Sequence, residues 1–321
     1  MNWRLSKNAL RALGLLGLVF VTGFGCSPAA AILCSVSMSN VVFGNIDVTA
    51  GAAVDTTGTM TVTCSGGAPP NRTNLVCISI GAGQNGDATS RILSGPASLR
   101  YELYSDASRT VKWGSWQTGY DSAGVSAVVP YNGSANLTVY GRVLGSQQTL
   151  LSGSYSDTLS GQPFITYTYN FGSKTCPDAG PDGTNSASFT ASATVITSCG
   201  VSASNINFGT LGFISSNFDS NGAVTALCTN GSPYNVGLSA GNGSGATVAA
   251  RKMTNGANTV TYSLYTTISR TTVWGNTIGT NTLSGTGTGT NQTLTVYGRV
   301  PPQTTPPVGT YSDTVVVTVT F

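Results

Sequence analysis

The chain contains no histidine. Its absence removes Ser-His-Asp and Cys-His catalysis, and with them the commonest zinc ligand. The residues left that could do chemistry are cysteines and a few carboxylates. Seven cysteines are present, Cys26, Cys34, Cys64, Cys77, Cys176, Cys199 and Cys228. No two stand in a C-x-x-C arrangement, so stapling outweighs redox chemistry. "GLSAG" (Gly237 to Gly241) fits G-x-S-x-G, but its serine has no histidine partner and sits in a Gly-rich turn, so the match is accidental. Asp178 and Asp182 in "PDAGPDG" suggest a calcium loop. Their spacing does not match an EF-hand, and Pro/Gly turn chemistry accounts for the stretch. Only 11 residues are acidic, which leaves few candidates for a glycosidase-type carboxylate pair. These residues point away from an enzyme, a cofactor or a metal, and toward a protein held by disulfides.

Disulfides need an oxidising compartment, and the N-terminus supplies the route to one. Arg4, Lys7 and Arg11 form a basic segment, Ala12 to Gly25 is a short apolar run, and Ala29-Ala30-Ala31 offers a small-residue cleavage site. Residues 1–31 therefore read as a secretory signal peptide. A lipoprotein signal ending at Cys26 is the alternative, which Phe24 fits poorly. The signal holds three of the 14 basic residues and none of the 11 acidic ones. The rest balances at 14 − 3 = 11 against 11, so the net charge is zero and nucleic acid is not implied as a partner. The expected route is export through the periplasm to the cell surface or beyond.

Removing Cys26 leaves six cysteines, and an internal repeat sorts them. "YELYSDASRTVKWG" (Tyr101 to Gly114) matches "YSLYTTISRTTVWG" (Tyr262 to Gly275) without a gap. "LTVYGRV" occurs at Leu137 to Val143 and at Leu294 to Val300; "GSYSDT" from Gly153 matches "GTYSDT" from Gly309; "CSVSMSNVVFGNI" from Cys34 matches "CGVSASNINFGTL" from Cys199. The order is kept throughout, so the chain is one unit twice. Cys34–Cys64 and Cys199–Cys228 are then equivalent pairs, each stabilising by about 3–4 kcal/mol on the chain-entropy model. Cys77 and Cys176 remain, both in copy one, and by elimination form the third candidate pair.

Each copy holds short alternating runs divided by Gly, Asn, Ser and Pro clusters, the pattern of an all-β sandwich. In the second "LTVYGRV", Leu294, Val296, Gly298 and Val300 share one face. The last run, "YSDTVVVTVTF" (Tyr311 to Phe321), reads as a strand with Val315, Val317, Val319 and Phe321 on its apolar face. Copy one continues past its equivalent strand into "SASFTASATVITSC", where Ala187, Phe189, Ala191, Ala193 and Val195 alternate with polar residues. Trp113 and Trp274 read as core. Arg142 with Asp157, and Arg299 with Asp313, recur in both copies and read as structural partners at a strand end.

The set "YxLYxDxxRxxxWG", "LTVYGRV" and "GxYSDT" resembles the spore coat protein U domain, found in pilins of the archaic (Csu-type) chaperone–usher pathway. The resemblance covers nearly the whole chain after the signal, twice. Copy two departs from it at Thr267, where copy one has Asp106. It implies two immunoglobulin-like β-sandwich domains, each lacking a last strand that a neighbour's extension supplies. On that reading copy one (32–185) completes itself with the linker strand (186–198), and copy two (199–321) is an incomplete pilin-type fold awaiting a donor. Only Ile32 and Leu33 precede Cys34 after cleavage, so the chain is expected to accept a strand and donate none, the position of a tip adhesin. The implied partners are a periplasmic pilus chaperone, an outer-membrane usher, a neighbouring pilin and an abiotic or host surface.

The copies differ most after their tryptophans. Copy one carries Trp116, Tyr120, Val125, Val128, Val129 and Tyr131 where copy two has a shorter stretch almost free of aromatics. Exposed aromatic loops mark contact with a partner, so these residues form the candidate surface-binding loop, with packing beneath the loop as the structural alternative. Two other readings of the whole chain remain. One is a structural spore-coat or matrix subunit, the other a secreted carbohydrate-binding module or enzyme.

Overall fold

Alternation at period two, with Val, Thr and aromatic residues at the alternating positions, sets long strands such as 54–65, 133–143 and 292–300. The computed structural model describes residues 31–66, 73–117, 120, 122–169, 174–177 and 181–321. The leader with Cys26 lies outside them, as does Asp178. Among the described residues every regular element is a strand. The first ten are β1 (Leu33–Met38), β2 (Val41–Ile46), β3 (Val54–Ser65), β4 (Thr73–Ser79), β5 (Arg91–Ser94), β6 (Ser98–Tyr104), β7 (Val125–Pro130), β8 (Gly133–Val143), β9 (Gly153–Tyr169) and β10 (Gly183–Val195). The other eight are β11 (Cys199–Ala203), β12 (Phe218–Cys228), β13 (Pro233–Leu238), β14 (Arg251–Asn255), β15 (Asn258–Tyr265), β16 (Leu283–Thr286), β17 (Gln292–Val300) and β18 (Val317–Thr320).

β1 to β10 form the first sandwich. One sheet runs β1-β3-β8-β6-β5 and the other β7-β4-β9-β10-β2, joined by the single pair Ser94–Ser156. β10 lies antiparallel to β9 and parallel to β2, filling the space between them. The stretch expected as a linker, 186–198, is thus mostly strand, and its ladder begins three residues earlier at Gly183. Phe189, Ala191, Ala193 and Val195 are all buried in the first core.

The second sandwich repeats the first with two strands missing. One sheet is β11-β12-β17-β15-β14; the other is only β16-β13-β18. The absent strands are the counterparts of β10 and β2. Residues 206–211, which match β2 in sequence, join no ladder. The final strand is also shorter than its alternation predicts: Val317–Thr320 pairs with β13, while 311–316 forms no ladder and is held by the Thr254–Ser312 bridge and by Ser239, whose N–H donates to Val316 O. The reason lies in copy one. Residues 153–160 of β9, the counterpart of 309–316, take their partners from β10 apart from the one pair with Ser94. Without such a partner the same sequence has nothing to pair with.

The three disulfides are Cys34–Cys64, Cys77–Cys176 and Cys199–Cys228. Trp113 and Trp274 are buried at equivalent places, and each indole N–H donates to the strand opposite, to Ile78 O and Val236 O. Residues 196–198 alone separate β10 from β11. They are held from both sides: Ile196 N donates to Ile46 O, and Thr229 Oγ1 accepts from Ser198 N.

Phe189 is 3% exposed on β10. The variant Phe189→Ala is expected to destabilise the first domain by about 3–5 kcal/mol, as for a large aromatic removed from a packed core. Urea unfolding followed by near-UV circular dichroism measures it. A loss below about 1 kcal/mol would mean that β10 only lies on the surface.

Candidate functional site

Between residues 203–208 and 311–317 the second domain has a cleft of about 520 Å³. Ile206 and Phe208 form one wall, and Tyr311, Val315 and Val317 the other. The floor is apolar, made by Val224, Leu238, Met253, Leu264 and Val296 with the ring of Tyr262. Neither wall belongs to a ladder along most of its length, so backbone donors and acceptors line both rims.

Copy one shows what this surface looks like when covered. Val41, Phe43 and Ile46 of β2 are buried, whereas their counterparts Ile206, Phe208 and Leu211 are half-buried. Tyr155, Asp157 and Leu159 of β9 are buried, whereas Tyr311, Asp313 and Val315 are half-buried. The sequences are nearly the same. The difference is β10, which packs over the one set and, among the described residues, has no counterpart over the other.

The candidate residues of the last strand therefore divide. Val315 and Val317 line the cleft, and Val319 packs half-buried on the second core without lining it. Phe321 follows β18 and is 56% exposed. By register its counterpart is Tyr167, buried in copy one under neighbours that copy two lacks.

The loop expected to bind surfaces does not present its aromatic residues. Trp116 packs half-buried against Leu75, Cys77 and Cys176, and its backbone N–H donates to Ser79 Oγ at 3.0 Å. Tyr120 is buried; its hydroxyl donates to Glu102 Oε2 at 3.0 Å, and its ring lies 4.5 Å from the Arg91 guanidinium carbon. Val129 is fully buried and Tyr131 half-buried, so Val128, 54% exposed, is the one of the five that faces outward. Beneath this loop lies a buried ion pair, Arg91–Glu102 at 3.1 Å, which recruits the tyrosine inward.

Arg91 and its counterpart Arg251 are key residues that sequence comparison missed. Each is fully buried and ties the strand end of the opposite sheet to the segment that carries the buried tryptophan: Arg91 Nη2 reaches Ile80 O and Trp113 O, and Arg251 Nη2 reaches Leu238 O and Trp274 O. The copies carry a one-residue length difference between this arginine and the following tyrosine, which an ungapped motif match does not cross. Ser263 stands where copy one has Glu102, so among the described residues Arg251 forms no ion pair and its hydrogen bonds go to carbonyls.

The repeated Arg and Asp of the motifs do not pair with each other. Arg142 grips Asp55 with two bonds of 2.7 and 2.8 Å, and Arg299 grips Asp219 identically. These are cross-strand neighbours in the ladders β3–β8 and β12–β17, closer than any strand-end partner. Asp157 and Asp313 instead accept the hydroxyls of Tyr101 and Tyr262, at 2.8 and 2.7 Å. The latter pair sits on the wall of the cleft, where burial first and Asp313 second push the Tyr262 hydroxyl well above its ordinary range. Asp182 caps a turn by accepting from Thr168 Oγ1 and Tyr169 N. Among the described residues no cluster of three or more His, Cys, Asp or Glu could hold a metal ion.

Two immunoglobulin-like sandwiches, one closed by its own strand and one a strand short, define a protein of the pilin-like β-sandwich class. The chain belongs to the Spore Coat Protein U domain family, whose profile matches residues 21–162 and again 185–318. The first match starts inside the segment read as a leader. "Protein U" of Myxococcus xanthus is 46% identical over 87 residues, which are 26% of this chain and 48% of that protein. The chain thus spans about half the length of that relative. Among solved structures, the CsuC-CsuE chaperone-tip adhesion subunit pre-assembly complex from archaic chaperone-usher Csu pili of Acinetobacter baumannii aligns with TM-score 0.52 and 18% identity, covering 90% of this chain and 100% of that one. That likeness is one of fold. The CupB6 tip adhesin from Pseudomonas aeruginosa covers 88% of this chain and 93% of its own at TM-score 0.35 and 11% identity, too distant to argue from. By family the chain is not an enzyme.

The Arg–Asp pairs have a pH signature. The hydrogen bond from Arg299 holds the Asp219 carboxyl below the usual carboxylate range, and Arg142 does the same for Asp55. A depressed carboxyl adds stability that is complete above its ordinary value and lost as pH falls through the folded one. The variant Asp55→Asn/Asp219→Asn is expected to be less stable than the native chain at pH 6 by at most ~1 kcal/mol per pair, because both pairs are part-exposed. The gap should close as pH falls below about 4. Urea midpoints across that range measure it, and a gap constant in pH would mean that the carboxylate charge contributes nothing.

Proposed function

We propose that the chain is the attachment subunit at the tip of a chaperone–usher pilus. One observation carries the reading: the second domain is open where the first is filled by β10. An added strand would pair with both unladdered rims and set alternate apolar side chains into the floor, the physics of strand addition at a sheet edge. The donor is the N-terminal extension of a neighbouring pilin. Before assembly a periplasmic chaperone covers the cleft, and an outer-membrane usher exchanges it for the pilin. The first domain closes itself with residues of its own chain. It is therefore free to point away from the fibre and meet an abiotic or host surface, as attachment and biofilm formation require.

Mixing the full chain with a synthetic peptide copying residues 183–195 tests the cleft. The peptide is expected to raise the stability of the second domain, by about 2.7 kcal/mol at a concentration one hundred times its Kd. Val317→Asp should abolish the gain. Thermal unfolding unmoved by peptide at any concentration would refute strand acceptance.

Attachment is read through Val128, which faces outward, and the half-buried Tyr131 at the end of the same loop. Val128 and Tyr131 replaced by Ser should lower binding of piliated cells to hydrophobic material while piliation stays unchanged. A weak contact of this kind is multiplied across many pili. Undiminished binding by cells with this double substitution would move the contact surface elsewhere on the first domain.

A further inference from the structure

The contact between the two domains contains a second use of the repeat. In the first domain residues 144–152 form a loop built on two side chains. Gln147 bridges the backbone of Arg100 and Leu144, and the Tyr155 hydroxyl donates to Leu151 O at 2.7 Å. In the second domain residues 301–308 are the same loop on the same bonds. Gln303 bridges Thr261 and Pro301, and the Tyr311 hydroxyl donates to Pro307 O at 2.7 Å.

The first loop is occupied. Leu151 makes a parallel bridge with Asn230 of the second domain, and Asn230 Nδ2 donates to Thr149 O at 2.7 Å. A Cβ on Gly289 would collide with the carbonyl of Gln148. The second loop is bare, and it is more apolar. Pro307, the counterpart of Leu151, is exposed; Val308 beside it is 101% exposed. Phe213, 87% exposed, adjoins them through Ile214, whose amide and carbonyl bond Thr305 and Gln303. Isolated exposed apolar residues are ordinary, but an exposed Phe beside a Pro-Pro-Val corner marks a contact.

We infer that the corner formed by Phe213, Pro307 and Val308 is the docking surface for the body of the subunit whose strand enters the cleft. The inference rests on strand acceptance, and chain geometry supplies the rest. β10 leaves the first domain at Val195, and the intervening residues 196–198 lead straight into the domain that lies on loop 144–152. A strand entering the second cleft in the same direction leaves by the equivalent end, beside loop 301–308. A short connection then brings the body of its subunit onto this corner. The partner surface is the pole of another domain of this family, equivalent to Thr229–Gly231 and Gly287–Gly289 here. The interface between the two domains of this chain is the template for the next interface along the fibre.

Hydroxyl-radical footprinting of the full chain tests this in three states: free, bound to the peptide copying residues 183–195, and assembled in pili. The peptide is expected to suppress labelling of Tyr311 and Met253 in the cleft and leave Phe213, Pro307 and Val308 labelled. Assembly should suppress both sets. Pili that protect the cleft but leave Phe213 and Val308 labelled overturn the docking surface and leave strand acceptance standing. Pili that protect neither set overturn both. Protection of Phe213 in the free chain that grows with concentration would assign the corner to a second copy, and also overturns the inference. In Phe213→Ser/Val308→Ser, the chain should still enter pili but be lost from them faster under shear. Unchanged retention would count against the corner as a contact.

Discussion

An immunoglobulin-like sheet cannot end in the middle of an apolar face. Every strand next to a missing one is left with unpaired backbone groups on its edge and apolar side chains without cover. The first domain meets this constraint with β10, which pairs with β9 along one side and β2 along the other. Among the described residues the second domain has no strand that meets it. Several differences between the two repeated folds follow from that. The segment matching β2 loses its ladder, the segment matching the first half of β9 loses its ladder, and the side chains between them open to solvent.

The layout of the sandwiches was legible because it rests on local signals. Alternation at period two marks the strands, the repeat marks the two units, and paired positions in the repeat match Cys34 with Cys64 and Cys199 with Cys228. Three features were not legible, each because it depends on what is absent or distant. The stretch 311–316 alternates like a strand but needs a partner to be one. The apolar residues of 116–131 look like a binding loop, yet Tyr120 is drawn inward by Glu102, a residue on another strand. The partners of Arg142 and Arg299 lie across the sheet at Asp55 and Asp219, far away in sequence.

The buried arginines show how a small core is tied across its two sheets. Arg91 and Arg251 sit at one pole and bind carbonyls from the strand end of one sheet while their backbone belongs to the other. A guanidinium has five donors in a fixed plane, so several carbonyls can be satisfied by one side chain. In the first domain Glu102 neutralises the charge, and Tyr120 joins the pair. The second domain keeps the arginine without the acid. The same tie is thus made in two electrostatic forms, and the form with the acid also anchors the loop that copy two lacks.

The direction of β10 has a mechanical meaning. Its hydrogen bonds to β9 run across the strand from Gly183–Tyr167 to Val195–Gly153, and its C-terminal end passes directly into the second domain. Antiparallel ladder bonds lie perpendicular to the strands they join. Tension between the domains therefore pulls β10 along its own axis and stretches those bonds together, in the manner of a lap joint rather than a zip. A strand seated the same way in the second cleft would continue that arrangement, so that force crossing the chain would meet the same kind of joint twice in series.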